Sequence, residues 1–132
     1  MVWSCLVSIL PGMAQTEKLT DYVNPFVGTD GYGNVYPGAQ IPFGGIQISP
    51  DTDSRFYDAA SGYKYNHLTL MGFSLTHLSG TGIPDLGDFL FIPGTGEMKL
   101  EPGTHEDPDQ GYRSRYSHDK EWASPNYYAV EL

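Results

Sequence analysis

The chain has almost no cysteine, little positive charge and no long apolar run, and each shortage removes a class of function. One of its 132 residues is cysteine, Cys5. Cys5 lies in an apolar leader, so a chain cleaved after that leader has no disulfides and no thiol chemistry. Lys and Arg number 7 against 16 Asp and Glu, giving a formal net charge of −9. Without a Lys/Arg cluster there is no basic face for phosphate contacts, so nucleic acid is not an expected partner. The longest apolar stretch, residues 2–10, is too short to span a bilayer. What is abundant is glycine (16) and proline (10), which break long helices and argue against a bundle or coiled coil. Two Trp, 10 Tyr and 6 Phe are too many aromatics for a disordered acidic tail. The composition predicts an all-β or loop-rich globular unit of at most one domain.

Residues 1–14 read as a signal peptide. Trp3, Leu6, Val7, Ile9 and Leu10 form the apolar region, Pro11-Gly12 breaks it, and Gly12-Met13-Ala14 before Gln15 resembles a cleavage site. The usual Lys/Arg start is missing, and the competing reading is a buried strand or a frayed end. Lipidation at Cys5 is a further alternative, opposed by the apolar run continuing beyond it. Residues 15–20 are a polar lead-in.

The remainder, 21–132, reads as short strands between turns. Pro25, Pro37 and Pro42 confine strands to edges or short pieces. Ile46-Gln47-Ile48 alternates as a strand does, and residues 50–62 read as a loop carrying Asp51, Asp53 and Asp58. Residues 63–79 are mostly extended, and 80–87 form a Gly/Pro-rich loop. Residues 88–92 (Asp-Phe-Leu-Phe-Ile) form a continuous apolar run, expected as a central strand buried on both faces. Residues 97–101 suggest a short strand, 102–110 an acidic loop, and 126–132 a last strand. An end in mid-strand on apolar residues leaves an open edge, which predicts an N-terminal fragment.

Few constellations carry chemistry by themselves. Asp85 and Asp88 are two carboxylates three residues apart beside a Gly-rich loop, suited to a metal or to acid and base work. Equally, Asp85 caps a turn and Asp88 opens a strand. Asp30-Gly31-Tyr32-Gly33-Asn34 lacks the ligands of a calcium loop. Ser79-Gly80-Thr81-Gly82 lacks the ending of a phosphate loop. His67 and His77 lie on extended segments, where a hydrogen-bonded structural role competes with a ligand role, and no Cys/His spacing fits zinc. Many aromatics with scattered Asp, Asn and His suit sugar binding, by ring stacking and hydroxyl acceptance; a β-sandwich core also uses aromatics.

Several segments in order are far more specific. They are Asp21-Tyr22-Val23-Asn24-Pro25-Phe26-Val27-Gly28-Thr29, Gly33-Asn34-Val35-Tyr36-Pro37-Gly38-Ala39, Gln47-Ile48-Ser49-Pro50-Asp51-Thr52, and Ser61-Gly62-Tyr63-Lys64-Tyr65. Gly72-Phe73-Ser74-Leu75-Thr76-His77-Leu78-Ser79-Gly80-Thr81-Gly82 follows, with Asp85-Leu86-Gly87-Asp88 behind it. Together, from about Asp21 to Leu132, they resemble the N-terminal domain of glycoside hydrolase family 92, the calcium-dependent exo-α-mannosidases.

The resemblance implies an all-β fold, an incomplete N-terminal β-sandwich normally followed by an (α/α)6 barrel absent from this chain. It implies a secreted, periplasmic or cell-surface bacterial enzyme of inverting mechanism, likened to the α-1,2 type, acting on the mannose of N-glycans or mannan. The acid, the base and the calcium ligands are implied to lie in the barrel, so this chain has no catalytic or metal residue and is inactive alone. Loops of the N-terminal domain are implied to reach the sugar, making Tyr57, Asp58, His77, Asp85 and Asp88 the substrate-binding candidates. Relatives often carry Gly-Trp-Asp-Gly-Cys where this chain has Phe56-Tyr57-Asp58-Ala59-Ala60, so Tyr57 stands for the aromatic ring near the leaving sugar. A non-catalytic carbohydrate-binding or structural β-sandwich module is the alternative.

Overall fold

Glycine and proline cut the backbone into short extended pieces. In the computed structural model, which describes residues 17–40, 45–53, 57–85 and 87–132, no strand exceeds four residues. The strands are β1 (Ser49–Asp51), β2 (Thr69–Leu70), β3 (Gly72–Ser74), β4 (Leu90–Phe91), β5 (Ser114–Arg115), β6 (Glu121–Ser124) and β7 (Tyr127–Val130). The helical elements among the described residues are 3-10 turns of three or four residues. The all-β expectation holds. The 1–14 leader lies outside the described residues.

The strands pair in three antiparallel sheets, ordered β1-β3-β4, β2-β5 and β6-β7. In the first, Ser49, Pro50 and Asp51 face Ser74, Phe73 and Gly72, and Phe73 and Ser74 in turn face Phe91 and Leu90. Two expectations are corrected here. The strand expected at Ile46–Ile48 begins instead at Ser49; Ile48 makes only an isolated bridge to Ala39. Asp51 fixes that register, because its Oδ2 accepts the Ser74 N–H at 2.8 Å, and Pro50 is tolerated because β1 is an edge strand. The 88–92 run is not a central buried strand. Only Leu90 and Phe91 pair, at the edge, and both are exposed. A short apolar run does not distinguish these cases. Residues 97–101 form no strand, and residues 102–113 close on themselves through Tyr112 N–H to Glu101 O and Arg113 N–H to Pro102 O.

The interior is unusually polar. Its larger apolar members are Tyr36, Tyr63, Leu70, Met71 and Tyr116, and they share it with Ser49, Asp51, Thr52, Asp53, Thr69, Ser74, His77, Arg113 and Glu121. Buried polar groups need partners, so hydrogen-bond hubs hold the sheets together. Arg113 beside β5 donates from Nη1 to Thr52 O at 2.5 Å and to Thr69 Oγ1 at 3.3 Å. Thr69 meets His105 Nδ1 at 2.7 Å, and His105 Nε2 lies 3.3 Å from Asp53.

A second hub is Glu121 at the start of the β6–β7 hairpin. Its Oε1 accepts from Tyr63 OH (2.9 Å) and Tyr128 OH (2.5 Å), and its Oε2 lies 2.5 Å from His118 Nδ1. The Phe73–Tyr128 ring contact, centroids 6.0 Å apart, packs the hairpin on the central sheet. Burial pushes the phenols of Tyr63, Tyr116 and Tyr128 above their ordinary value of 10.0, and the neighbouring Glu121 carboxylate adds to each. A folded pKa above the unfolded one contributes stability that is complete below about pH 10 and lost as pH rises through the folded value. In an alkaline titration these three tyrosines are therefore expected to stay protonated until the fold opens. Tyrosinate absorbance and circular dichroism should then change together above pH 10. Smooth ionisation of all ten tyrosines of the chain near pH 10 with the fold intact would contradict the buried hub.

Candidate functional site

β3 ends at Ser74 and the chain turns back through His77, whose ring enters the interior at 5% exposure. Its Nδ1 lies 2.7 Å from Gln47 O. A carbonyl only accepts, so Nδ1 carries a hydrogen. Its Nε2 is 2.9 Å from Ser74 Oγ and 3.0 Å from Asp51 Oδ1. The Tyr36 ring packs against the imidazole, centroids 4.9 Å apart. Ser74, His77 and Asp51 do not form a nucleophile relay, because the hydroxyl and the carboxylate share one ring nitrogen and all three groups are buried. They form a brace.

Gly62 is what lets the brace close. At φ +89° its Cα lies so near Asp51 that a Cβ would fall 2.1 Å from Oδ1 and 3.0 Å from His77 Cδ2. Its carbonyl accepts from the N–H groups of Thr52 and Asp53, and its own N–H donates to Ala59 O. The brace thereby carries the turn Tyr57–Ala59, which presents Tyr57 at 72% exposure and contains Asp58. On the other side of His77, Thr76 Oγ1 donates to Asp88 Oδ2 at 2.9 Å, and Gly87 N–H donates to Thr76 O. Asp85 and Asp88 are exposed on the loop so held. Gly80 N–H donates to Asn34 O at 2.6 Å, tying the same loop to residues 28–36.

Four of the five candidates thus separate by layer. Tyr57, Asp85 and Asp88 are at the surface, on segments anchored to either side of one buried hub. His77 is the hub itself, with both ring nitrogens engaged. Asp51, Ser74, Gln47 and Gly62 were not singled out from sequence, although the Ser-Pro-Asp and Ser-Gly-Tyr segments that hold Asp51 and Gly62 belong to the pattern quoted above. An open cleft of about 310 Å³ lies to one side, lined by Val23, Pro25, Val35, Tyr36, Gly38, Gln40, Ser79, Ser124 and Pro125. It shares Tyr36 with the brace, and Tyr57, His77, Asp85 and Asp88 do not line it. Among the described residues no group of three or more His, Cys, Asp or Glu is placed to hold a metal ion. Nor is any helix among them long and apolar enough to cross a membrane.

Residues 22–132 match the model of the glycosyl hydrolase family 92 N-terminal domain. A curated relative, an uncharacterized secreted glycosidase of Arthroderma benhamiae, is 30% identical over 113 residues, 84% of this chain and 14% of that protein. Among solved structures, the GH92 family glycosyl hydrolase ccman5 superimposes with a TM-score of 0.67 at 34% identity, over 84% of this chain and 14% of its own. The family GH92 inverting mannosidase BT2199 from Bacteroides thetaiotaomicron superimposes at 0.64 with 30% identity, over 87% of this chain and 16% of its own. The chain spans about a seventh of the length of these relatives.

Proposed function

This chain belongs to glycosyl hydrolase family 92, as its N-terminal domain, and on that premise we propose that it forms the N-terminal part of an inverting exo-α-mannosidase. The reading extends to a secreted or periplasmic bacterial enzyme that removes terminal, α-1,2-linked mannose from N-glycans or mannan. The observation that carries it is the alignment of 87% of the chain with an inverting mannosidase at 30% identity.

In this reading Tyr57 offers its exposed ring to the C–H face of a sugar, and Asp85 and Asp88 accept from sugar hydroxyls. Asp58 shares the Tyr57 turn and is assigned to the same contact. His77 is a positioning residue, since its brace holds the segments that carry the others. Inversion needs an acid at the leaving oxygen and a base that activates water on the opposite face, with the two carboxyls far enough apart for that water. Both are assigned to the larger part of the enzyme, as is calcium, a hard cation suited to the oxygens of a sugar. The described residues offer calcium no cluster, so none of them is given a role toward it.

Two measurements test the reading. The 132-residue chain alone should give no turnover of an aryl α-mannoside, and clear hydrolysis would refute the assignment of acid and base elsewhere. In the full-length enzyme, Tyr57→Ala should raise KM for α-1,2-mannobiose about 5–10-fold, the loss of one aromatic contact of about 1 kcal/mol. Because Tyr57 is exposed, its stability should change by less than about 0.5 kcal/mol. An unchanged KM would remove Tyr57 from the site.

A further inference from the structure

The β1-β3-β4 sheet is closed on one side and open on the other. Along one cross-strand row exposure climbs from buried Pro50 through half-buried Phe73 to Phe91 at 59%. Along the next it climbs from buried Ser49 and Ser74 to Leu90 at 38%. The β1 side is covered: Ala39 bridges Ile48 just before β1, and Gly38 N–H donates to Ser49 Oγ. Beyond β4 no strand follows among the described residues, and Phe89, which immediately precedes it, is exposed at 64%. An unpaired edge carrying apolar side chains is a template for one more strand, and an exposed apolar patch of this kind marks an interaction surface.

We propose that the open edge of β4 is completed by a strand from the larger part of the same enzyme, making the Leu90–Phe91 edge the seat on which that part docks. This rests on the mannosidase reading above. The relatives are about seven times as long as the region they share with this chain, so they contain the polypeptide needed. A second copy is the poorer occupant. It would bring together two chains of net charge −9, with Asp88 two residues before the edge strand in each.

Hydrogen–deuterium exchange on the full-length enzyme tests the proposal, with β3 as internal reference. In an antiparallel pair, the amides of successive residues point to opposite sides. If the edge is covered, Leu90 and Phe91 should both exchange within about tenfold of Phe73 and Ser74; an open edge leaves one of the two faster by at least about 100-fold. Maleimide labelling of Phe91→Cys should be at least about tenfold slower than that of Tyr57→Cys, since burial limits access to a thiol. Fast exchange and fast labelling at β4 in an enzyme that hydrolyses mannosides would overturn the docking seat and leave the function standing. Protection lost on dilution, together with dimer dissociation, would overturn it in favour of a second copy. A protected β4 in a full-length protein without mannosidase activity would remove the function and keep the seat.

Discussion

Replacing Asp51 by alanine is expected to cost about 3–5 kcal/mol of stability, the usual penalty for removing one partner of a buried charged network. The Ser74 N–H loses its acceptor and His77 Nε2 loses its carboxylate, both in the interior. The damage should spread along two paths. Register between β1 and β3 loses the contact that fixes it, and the Gly62 turn loses the group it packs on. Asp51→Asn keeps the shape and one oxygen, so its cost should be about half, on the order of 2 kcal/mol. Denaturant unfolding of the two variants measures both. If the segments assigned to sugar contact under the proposed function have that role, Asp51→Asn in the full-length enzyme should raise KM with little change in kcat, because the brace positions those segments and holds no reacting atom. Equal stability of Asp51→Ala and the parent would show that the brace carries no weight.

Glu121→Ala should have an effect of similar size, about 3–5 kcal/mol, for a different reason. One carboxylate serves two phenols and an imidazole, so its loss leaves Tyr63, Tyr128 and His118 without their acceptor at once. Two of the four, Glu121 and Tyr128, belong to the β6–β7 hairpin, so the hairpin should detach from the sheet before the rest unfolds. Trp122, half-exposed beside Glu121, supplies the fluorescence that follows it. Glu121→Gln should lose about 2 kcal/mol, since one oxygen still accepts a phenol. If Glu121→Ala unfolds with the parent midpoint and an unaltered Trp122 signal, the hub is not what docks the hairpin.

The sequence made the all-β class legible because glycine and proline limit every element, and β7 was legible in the run 126–132, expected as a last strand. Other features were hidden for identifiable reasons. A strand of two or three residues shows no alternation, so β1 could not be told from its flanking loop, and the alternating Ile46-Gln47-Ile48 was the stronger pattern. The 88–92 run resembles a central strand because a buried strand and an uncovered edge strand have the same composition. At the site, histidine was visible as a residue type, whereas its burial was not. Asp51 and Gly62 are eleven residues apart in sequence and meet only once the 57–62 turn closes. Glu121 sits in a charged stretch, His118-Asp119-Lys120-Glu121, that reads as solvated; only the fold shows one of its members turned inward.

The bare β4 edge also has a consequence in time. Translation delivers the N-terminus first, and in a relative of this length about six-sevenths of the polypeptide lies outside the shared region, which matches an N-terminal domain. At about 5–20 residues per second, that remainder takes on the order of a minute to leave the ribosome. For that interval Phe89, Leu90 and Phe91 would be held out to the cytosol on a preformed strand. A nascent enzyme of this kind is then most prone to aggregate once its first seventh has been made and before the rest arrives, when a chaperone has reason to hold it.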